Sequence, residues 1–402
     1  MRYLQNNGLP FPGLIKTLSG FWRDWRGFSV NNNWKECKLG EVAEFYYGKM
    51  PDKRRVKEQG RYPVFSGYQI TGYYDEFNSD EDLIIVARGV GGTGDVKISP
   101  RKSYVTNLSI IAKLNCQLVE KHYLYYKYLI NNLRYLDSGS AQSQVTIGDL
   151  QRVEILLPPL PEQRAIAGVL SSLDNKIDLL HRQNKTLAGI AEALWREMFV
   201  EEADPNWERG KLGDYGQIIC GKTPSKKVAE YFGGHIPFIK IPDMHGNIFI
   251  FETEDSLTGT GEKSQQNKTI PAKSICVSCI ATVGLVAMNA ADSQTNQQIN
   301  TIIPNKEFQR YFLFLLMRNM TDDLFARASG GTATDNLNTG DFARIEISIP
   351  PENTIQKFDN LVQNYFEKIY ANQIQIRTFS RMRDTLLPKL MSGEVRVQLQ
   401  AI

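Results

Sequence analysis

The stretch Pro161–Met198, PEQRAIAGVLSSLDNKIDLLHRQNKTLAGIAEALWREM, spaces its apolar residues alternately by four and three: Ile166, Leu170, Leu173, Ile177, Leu180, then Leu187, Ala191, Leu194 and Met198. A repeat of about 3.5 residues keeps one stripe of a helix facing a partner, so this spacing predicts a coiled-coil seam. One seam position, Asn184, is polar. Adding 192 to each number gives Phe358, Val362, Tyr365, Ile369, Asn372, Ile376, Phe379, Arg383, Leu386 and Leu390 on the same rhythm. The chain carries this helix twice.

The simplest partner for each copy is the other. In an antiparallel pair of full overlap, Ile166 meets Leu390, Ala191 meets Tyr365, and Asn184 meets Asn372. A single buried Asn layer fixes register, so Asn184 and Asn372 are the expected register pair. Arg383 opposite Leu173 is the misfit, and its stem is expected to snorkel outward. At 1.5 Å per residue the overlap makes a rod of about 50 Å. The alternative is two amphipathic helices, each lying on its own domain.

Working outward, WKECKLGEVAEFYYGKMPDK from Trp34 returns at Trp207 as WERGKLGDYGQIICGKTPSK. A repeat of this length means duplicated domains rather than a solenoid. Each copy continues through short strand candidates, YPVFSGYQ and DLIIVARG in the first and HIPFIKIP and SICVSCIATVGLVAMN in the second. Each then has a Thr-Asn pair (Thr106-Asn107, Thr295-Asn296), an aromatic helix candidate, a polar Ser-Gly loop and a strand ending in Pro-Pro. The expected fold is α+β, two similar domains of mixed strands and helices separated by two long antiparallel helices, with a pseudo-twofold internal repeat. The boundaries read as an N-terminal arm over 1–33, a first domain over 34–159, a central helix over 160–200, a second domain over 205–351 and a distal helix over 352–395.

Composition narrows the class. The 402 residues suffice for two or three domains with ample cores, and a net charge of +3 does not by itself demand a nucleic-acid partner. Five cysteines without framework spacing suit a reducing cytosol. The first residues lack the apolar core of a signal peptide, and the longest apolar runs are too short to span a bilayer, so a cytoplasmic location is expected.

Several motifs imitate chemistry. Gly216–Thr223 matches the phosphate-loop pattern, but Pro224 follows where a helix should open; a strand end and turn is the better reading. Gly89–Gly94 matches G-x-G-x-x-G, yet DVKISPRKSYV after it is strand-like, which favours a glycine-rich hairpin beside Arg88. Cys276 and Cys279 lie in an apolar strand without a second ligand pair. Asp52, Asp95 and Lys97 loosely resemble a metal-dependent nuclease set, but the second copy lacks the Asp-x-Lys.

Basic and amide side chains at corresponding places point to DNA. In the first domain they are Lys49, Lys53, Arg54, Arg55, Arg61, Arg88, Lys97, Arg101 and Lys102, with Tyr62 and Tyr68 nearby. In the second they are Lys222, Lys226, Lys227, Lys263 and Lys268 and the run Gln294, Thr295, Asn296 and Gln297, with Gln265 and Gln266 between the lysines. Lys and Arg suit phosphates, and Arg, Asn and Gln suit base edges. Two similar readers held apart by a spacer would recognise a split target.

From about Trp34 to Val395 the sequence resembles the specificity subunit of type I restriction–modification enzymes. The resemblance rests on LPPLPEQRAIA (157–167) at the start of the central helix and RDTLLPKLMSGEV (383–395) at the end of the distal one. KLGEV (38–42) and GKTP (221–224) resemble the starts of its two target recognition domains. PENTI (351–355) lacks the family's Pro-Glu-Gln-Arg, and the segment before Trp34 also departs from the pattern. The resemblance implies a subunit without a catalytic centre or cofactor of its own, whose two domains read the halves of an interrupted site on double-stranded DNA. It implies two modification subunits that bind S-adenosylmethionine and methylate adenine. Restriction subunits, which use ATP and Mg, would add translocation and cleavage. Three alternatives stand beside it: a related system with methylase and nuclease fused in one partner, a nuclease using Asp52, Asp95 and Lys97, and a coiled-coil adaptor indifferent to DNA sequence.

Overall fold

The computed structural model describes residues 33–89, 92–137, 143–329 and 336–397. The expected N-terminal arm, apart from its last residue, and most of both Ser-Gly loops lie outside these residues. Two compact units emerge. One holds the residues through Ile177 together with those from Thr378 on, and the other runs from Asp178 to Arg377.

The first unit contains, in chain order, β1 (Lys35–Lys38), β2 (Ala43–Tyr47), β3 (Tyr62–Phe65), β4 (Ile70–Tyr74), β5 (Leu83–Val86), β6 (Val96–Ile98), β7 (Tyr104–Val105), β8 (Ser109–Leu114), α1 (Lys121–Ile130) and β9 (Glu154–Leu157). β1 and β9 pair antiparallel, Lys35 opposite Leu157, so the domain opens and closes on one two-stranded clasp. Between them lie a four-stranded sheet in the order β2-β8-β5-β6 and a three-stranded one in the order β4-β3-β7. β5, LIIV, is buried at all four positions, which suits a strand covered on both faces. Helix α1 starts at Glu120, whose carboxylate accepts from the Tyr123 amide at 2.6 Å. Its buried Tyr123, Leu124 and Tyr126 close the core over the sheet.

From this domain the chain passes into helix α2 (Leu160–Arg196) and then builds the second domain. The latter comprises β10 (Glu208–Lys211), β11 (Gly216–Cys220), β12 (Phe232–Ile239), β13 (Phe249–Ile250), β14 (Asp255–Leu257), β15 (Ile275–Ser278), β16 (Val286–Asn289), β17 (Gln294–Thr295), β18 (Ile299–Pro304), α3 (Arg310–Asn319) and β19 (Glu346–Ile349). The topology repeats. β10 pairs with β19, the larger sheet runs β11-β18-β15-β16-β13, and the smaller runs β14-β12-β17 with the same parallel pairing of β12 and β17 as of β3 and β7. Strand β13 is the addition.

The duplication also corrects one detail of alignment. Tyr47 pairs with Ile110 and Cys220 with Asn300, so Thr106 corresponds to Asn296 and Val105 to Thr295. The two Thr-Asn pairs are therefore out of register by one residue.

The last helix, α4 (Glu352–Ser392), shares a core with α2 within each unit. In the first unit Ile166 and Leu170 sit with Leu387, Leu390 and Met391; in the second, Ala191 sits with Phe358, Val362 and Ile369, with Tyr365 packed against them. Also in the second, Asn372 donates to Asn184 at 2.8 Å, as the expected register requires. The buried stripe is wider than a seam. Trp195, Phe199, Phe366 and Leu387 are buried too, and Phe366 stacks on Tyr311 of α3 at 4.2 Å between centroids. Each helix thus packs both on the other and on a domain, so the two alternatives of the sequence hold together.

Arg383 corrects the expectation. Its side chain is 13% exposed and donates to Asp174 at 2.9 Å, with Asp384 at 2.8 Å beside it. It does not snorkel, because a carboxylate one position beyond Leu173 receives it. Tyr126 donates to the same Asp174 at 2.6 Å, tying α1 into this ion pair.

Candidate nucleic-acid interface

The Gly-Lys step is placed alike in both domains. The Lys49 amide donates to the Val105 carbonyl at 3.1 Å, and the Lys222 amide donates to the corresponding Thr295 carbonyl at 2.9 Å. The glycine before each allows this approach. A Cβ on Gly48 would stand 2.1 Å from the Thr106 carbonyl oxygen, and one on Gly221 2.2 Å from that of Asn296. Both lysine side chains are exposed. A phosphate loop is thereby excluded at Gly216–Thr223, since its residues form β11 and a backbone-packed turn.

In the second domain the structure gathers several expected residues. Thr223 donates to the Gln297 side chain at 2.6 Å, and the Gln265 amide nitrogen donates to the Lys222 carbonyl at 2.5 Å and to Gln294 at 2.8 Å. The Gln294 side chain in turn donates to the Glu262 and Gln265 carbonyls and to Thr269. This hub fastens the Lys222 loop to the segment carrying Lys263 and Lys268. Lys222, Lys226, Lys227, Lys263 and Gln297 are exposed around it, and Lys268 is half-buried.

Gln294, Thr295 and Asn296 face inward rather than onto the surface. All three are buried, Gln294 fully, and Asn296 donates to Gln298 at 2.9 Å. The Gln294 and Asn296 amides brace the loop, and only Gln297 of that run faces outward.

The first domain uses its basic residues unevenly. Lys49, Lys53, Arg54, Arg61, Arg88, Arg101 and Lys102 are exposed. Arg61 lies over the Tyr62 ring at 5.1 Å and Lys102 over Phe77 at 5.9 Å. Arg55 is committed internally, donating to Asp75 and Glu76 at 2.6 Å each while lying over Tyr74. Those two hydrogen bonds hold its pKa above the ordinary arginine value. Lys97 departs from the expected outer face. It is half-buried and lines a cleft of about 580 Å³ with Glu120, His122, Tyr125, Arg164 and Asp174. A bracing residue that sequence reasoning missed is Asn78, which donates to the Val105 carbonyl at 2.9 Å and accepts from its amide at 2.7 Å.

The remaining lookalikes resolve structurally. Gly89–Gly94 lies in the hairpin between β5 and β6, whose residues 90 and 91 are outside the described set. Burial pushes the Cys276 thiol up to about 12 and that of Cys279 to about 11, and the two sit in different cores, as opposite faces of a strand should. Asp95 is engaged by the Arg134 guanidinium at 3.1 Å, and Asp52 accepts from the Arg54 amide. Among the described residues no group of three His, Cys, Asp or Glu is placed to hold a metal ion, and no helix is long and apolar enough to cross a membrane.

Known proteins share this arrangement. The family model "Type I restriction modification DNA specificity domain" matches residues 31–188 and 205–376. The type I restriction enzyme HindI specificity subunit of Haemophilus influenzae is 37% identical, over 63% of this chain and 71% of its own. The MjaIX specificity subunit of Methanocaldococcus jannaschii is 29% identical over 70% of each chain. The crystal structure of a type I restriction–modification S subunit from M. genitalium superimposes with a TM-score of 0.70 at 16% identity, covering 93% of this chain and 99% of that one, and so has the same fold.

Proposed function

Because the chain belongs to the family of type I restriction–modification DNA specificity proteins, we propose that its two domains read the two halves of an interrupted site on double-stranded DNA. The observation that carries this reading is the matched placement of Lys49 and Lys222 by the same backbone hydrogen bond in two domains of one topology. Such lysines suit phosphate contacts, which position a reader, while variable side chains around them read bases. The α2–α4 pair, fixed in register by Asn184 and Asn372, sets the spacer and offers the docking surface for two modification subunits. In this reading the chain does no chemistry itself. S-adenosylmethionine belongs to the modification subunits, ATP and Mg to the restriction subunits, and the assembly works in the cytoplasm, where its DNA lies.

The test is co-expression with a modification subunit of a type I system from the same source, followed by mapping of methylated adenines. A split motif with a constant gap, lost without this chain, is the expected result. Methylation without a bipartite motif would refute the reading and favour an adaptor.

A further inference from the structure

The two domains coincide in framework and differ at the hairpin after β5 and its counterpart after β15. The Gly94 amide donates to the Val86 carbonyl, and the Gly284 amide donates to that of Ser278, closing the same turn in each. The Val145 amide docks on Ala87 as the Leu337 amide docks on Cys279. Between these matched points the first domain has seven residues, 87–93, and the second has five, 279–283. Exposed Arg88 stands where the second domain has Ile280, as the bridges Arg88–Gln144 and Ile280–Asn336 show. The loop after β3 differs too. It is a tight turn from Ser66 to Gln69, while a short helix, Ile241–Met244, follows β12.

That turn carries Tyr68, which is 45% exposed yet not loose. A Cβ on Gly89 would stand 2.6 Å from its hydroxyl oxygen, and one on Gly92 2.4 Å from Cε1. The hydroxyl end of the ring therefore rests on bare backbone at two glycines, and a side chain at either would force the ring to shift. Burial of that end raises the tyrosine pKa, with Asp95 adding and Arg134 opposing. An aromatic ring fixed before binding loses little entropy on contact, which is what a recognition residue needs.

We propose that Tyr68, seated on Gly89 and Gly92, is a specificity-determining residue of the first domain, its exposed ring packing against the bases of that half-site. The proposal rests on the reading of the chain as a DNA specificity subunit. Two domains of one framework read different sequences only through what differs between them, and this seat is such a difference. Apolar contact with a thymine methyl, or partial insertion at a base step, is chemistry open to the ring.

The test uses the complex with its methyltransferase and reads methylation of every variant of the bipartite motif. Tyr68→Ala is expected to relax one position of one half-site, raising methylation of mismatched sites about 5- to 150-fold relative to the cognate site, as befits a lost base contact. Tyr68→Phe is expected to keep the parental motif, and Gly92→Ala to mimic Tyr68→Ala. A parental motif from Tyr68→Ala, relaxation of both halves, or loss of methylation at all sites by a folded variant would overturn the proposal. Should Tyr68→Ala fail to fold, Tyr68→His is judged by the same criteria. Absence of a bipartite motif from the parent complex would refute the functional reading itself, whatever Tyr68 does.

Discussion

Asn372, fully buried, donates its side-chain N–H to the Asn184 side-chain oxygen at 2.8 Å, joining the two long helices at one polar layer. Replacing one partner strands the other. Asn184→Leu should destabilise the protein by about 1–3 kcal/mol, since Asn372 is fully buried and Asn184 only half-buried. The double variant Asn184→Leu, Asn372→Leu should recover most of that, because no amide is then left unpaired. Denaturant unfolding of the two variants and the parent protein checks it. A double variant as weak as the single would show that the layer does not act as a pair.

Arg383 and Tyr126 both donate to Asp174. Arg383→Met should destabilise by about 1.5–3 kcal/mol, the range for a charged hydrogen bond. Asp174→Asn should do less harm, since an amide oxygen still accepts from one donor. Melting temperatures of the two variants give the ranking.

Burial pushes the Asp359 carboxyl up to about 6, with Arg310 opposing and Glu307 adding. The folded state therefore holds this proton more tightly than the unfolded chain, and stability from this group falls as pH rises from the ordinary carboxylate range through 6. Asp359→Asn should raise the melting temperature at pH 8 and leave it nearly unchanged at pH 4. An equal shift at both values would show that charge is not the cause.

Lys49→Ala and Lys222→Ala should each weaken DNA binding by the assembled complex about equally across sequences. Each should also make the salt dependence shallower by about 0.9 in log–log slope. Binding at several salt concentrations measures this, and an altered methylation motif would instead make the lysine a base reader.

Glycines should divide by surroundings. Gly221→Ala drives a methyl into backbone oxygens and should destabilise by more than about 1 kcal/mol, whereas Gly168, in α2 with nothing within 4 Å of a built Cβ, should gain about 0.4–1 kcal/mol on becoming Ala. Chemical denaturation separates the two signs.

The helix pair was legible because a 3.5-residue repeat has few readings and the chain states it twice, down to Asn184 and Asn372. Duplication likewise exposed the Gly-Lys step. Arg383 was misread since its partner, Asp174, lies one position off the seam, where periodicity carries no information. Gln294 illustrates a different limit: an amide that braces a loop and an amide that reads a base are the same letter, and the sequence does not show which is buried. The one-residue slip between the Thr-Asn pairs shows that letters can align where strand pairing does not.

Each domain leaves the chain through β1 or β10 and returns beside it through β9 or β19, within one antiparallel ladder. Whatever lies between is therefore inserted through a closed doorway, its two ends already hydrogen-bonded to each other. A reader of different sequence, grafted between Lys38 and Glu154, would meet the same doorposts and would need to keep only the α1 face, Tyr126 included, that packs on the helices. New surface can in this way be acquired as a cassette, with the two-stranded clasp and the Asn184–Asn372 layer left untouched.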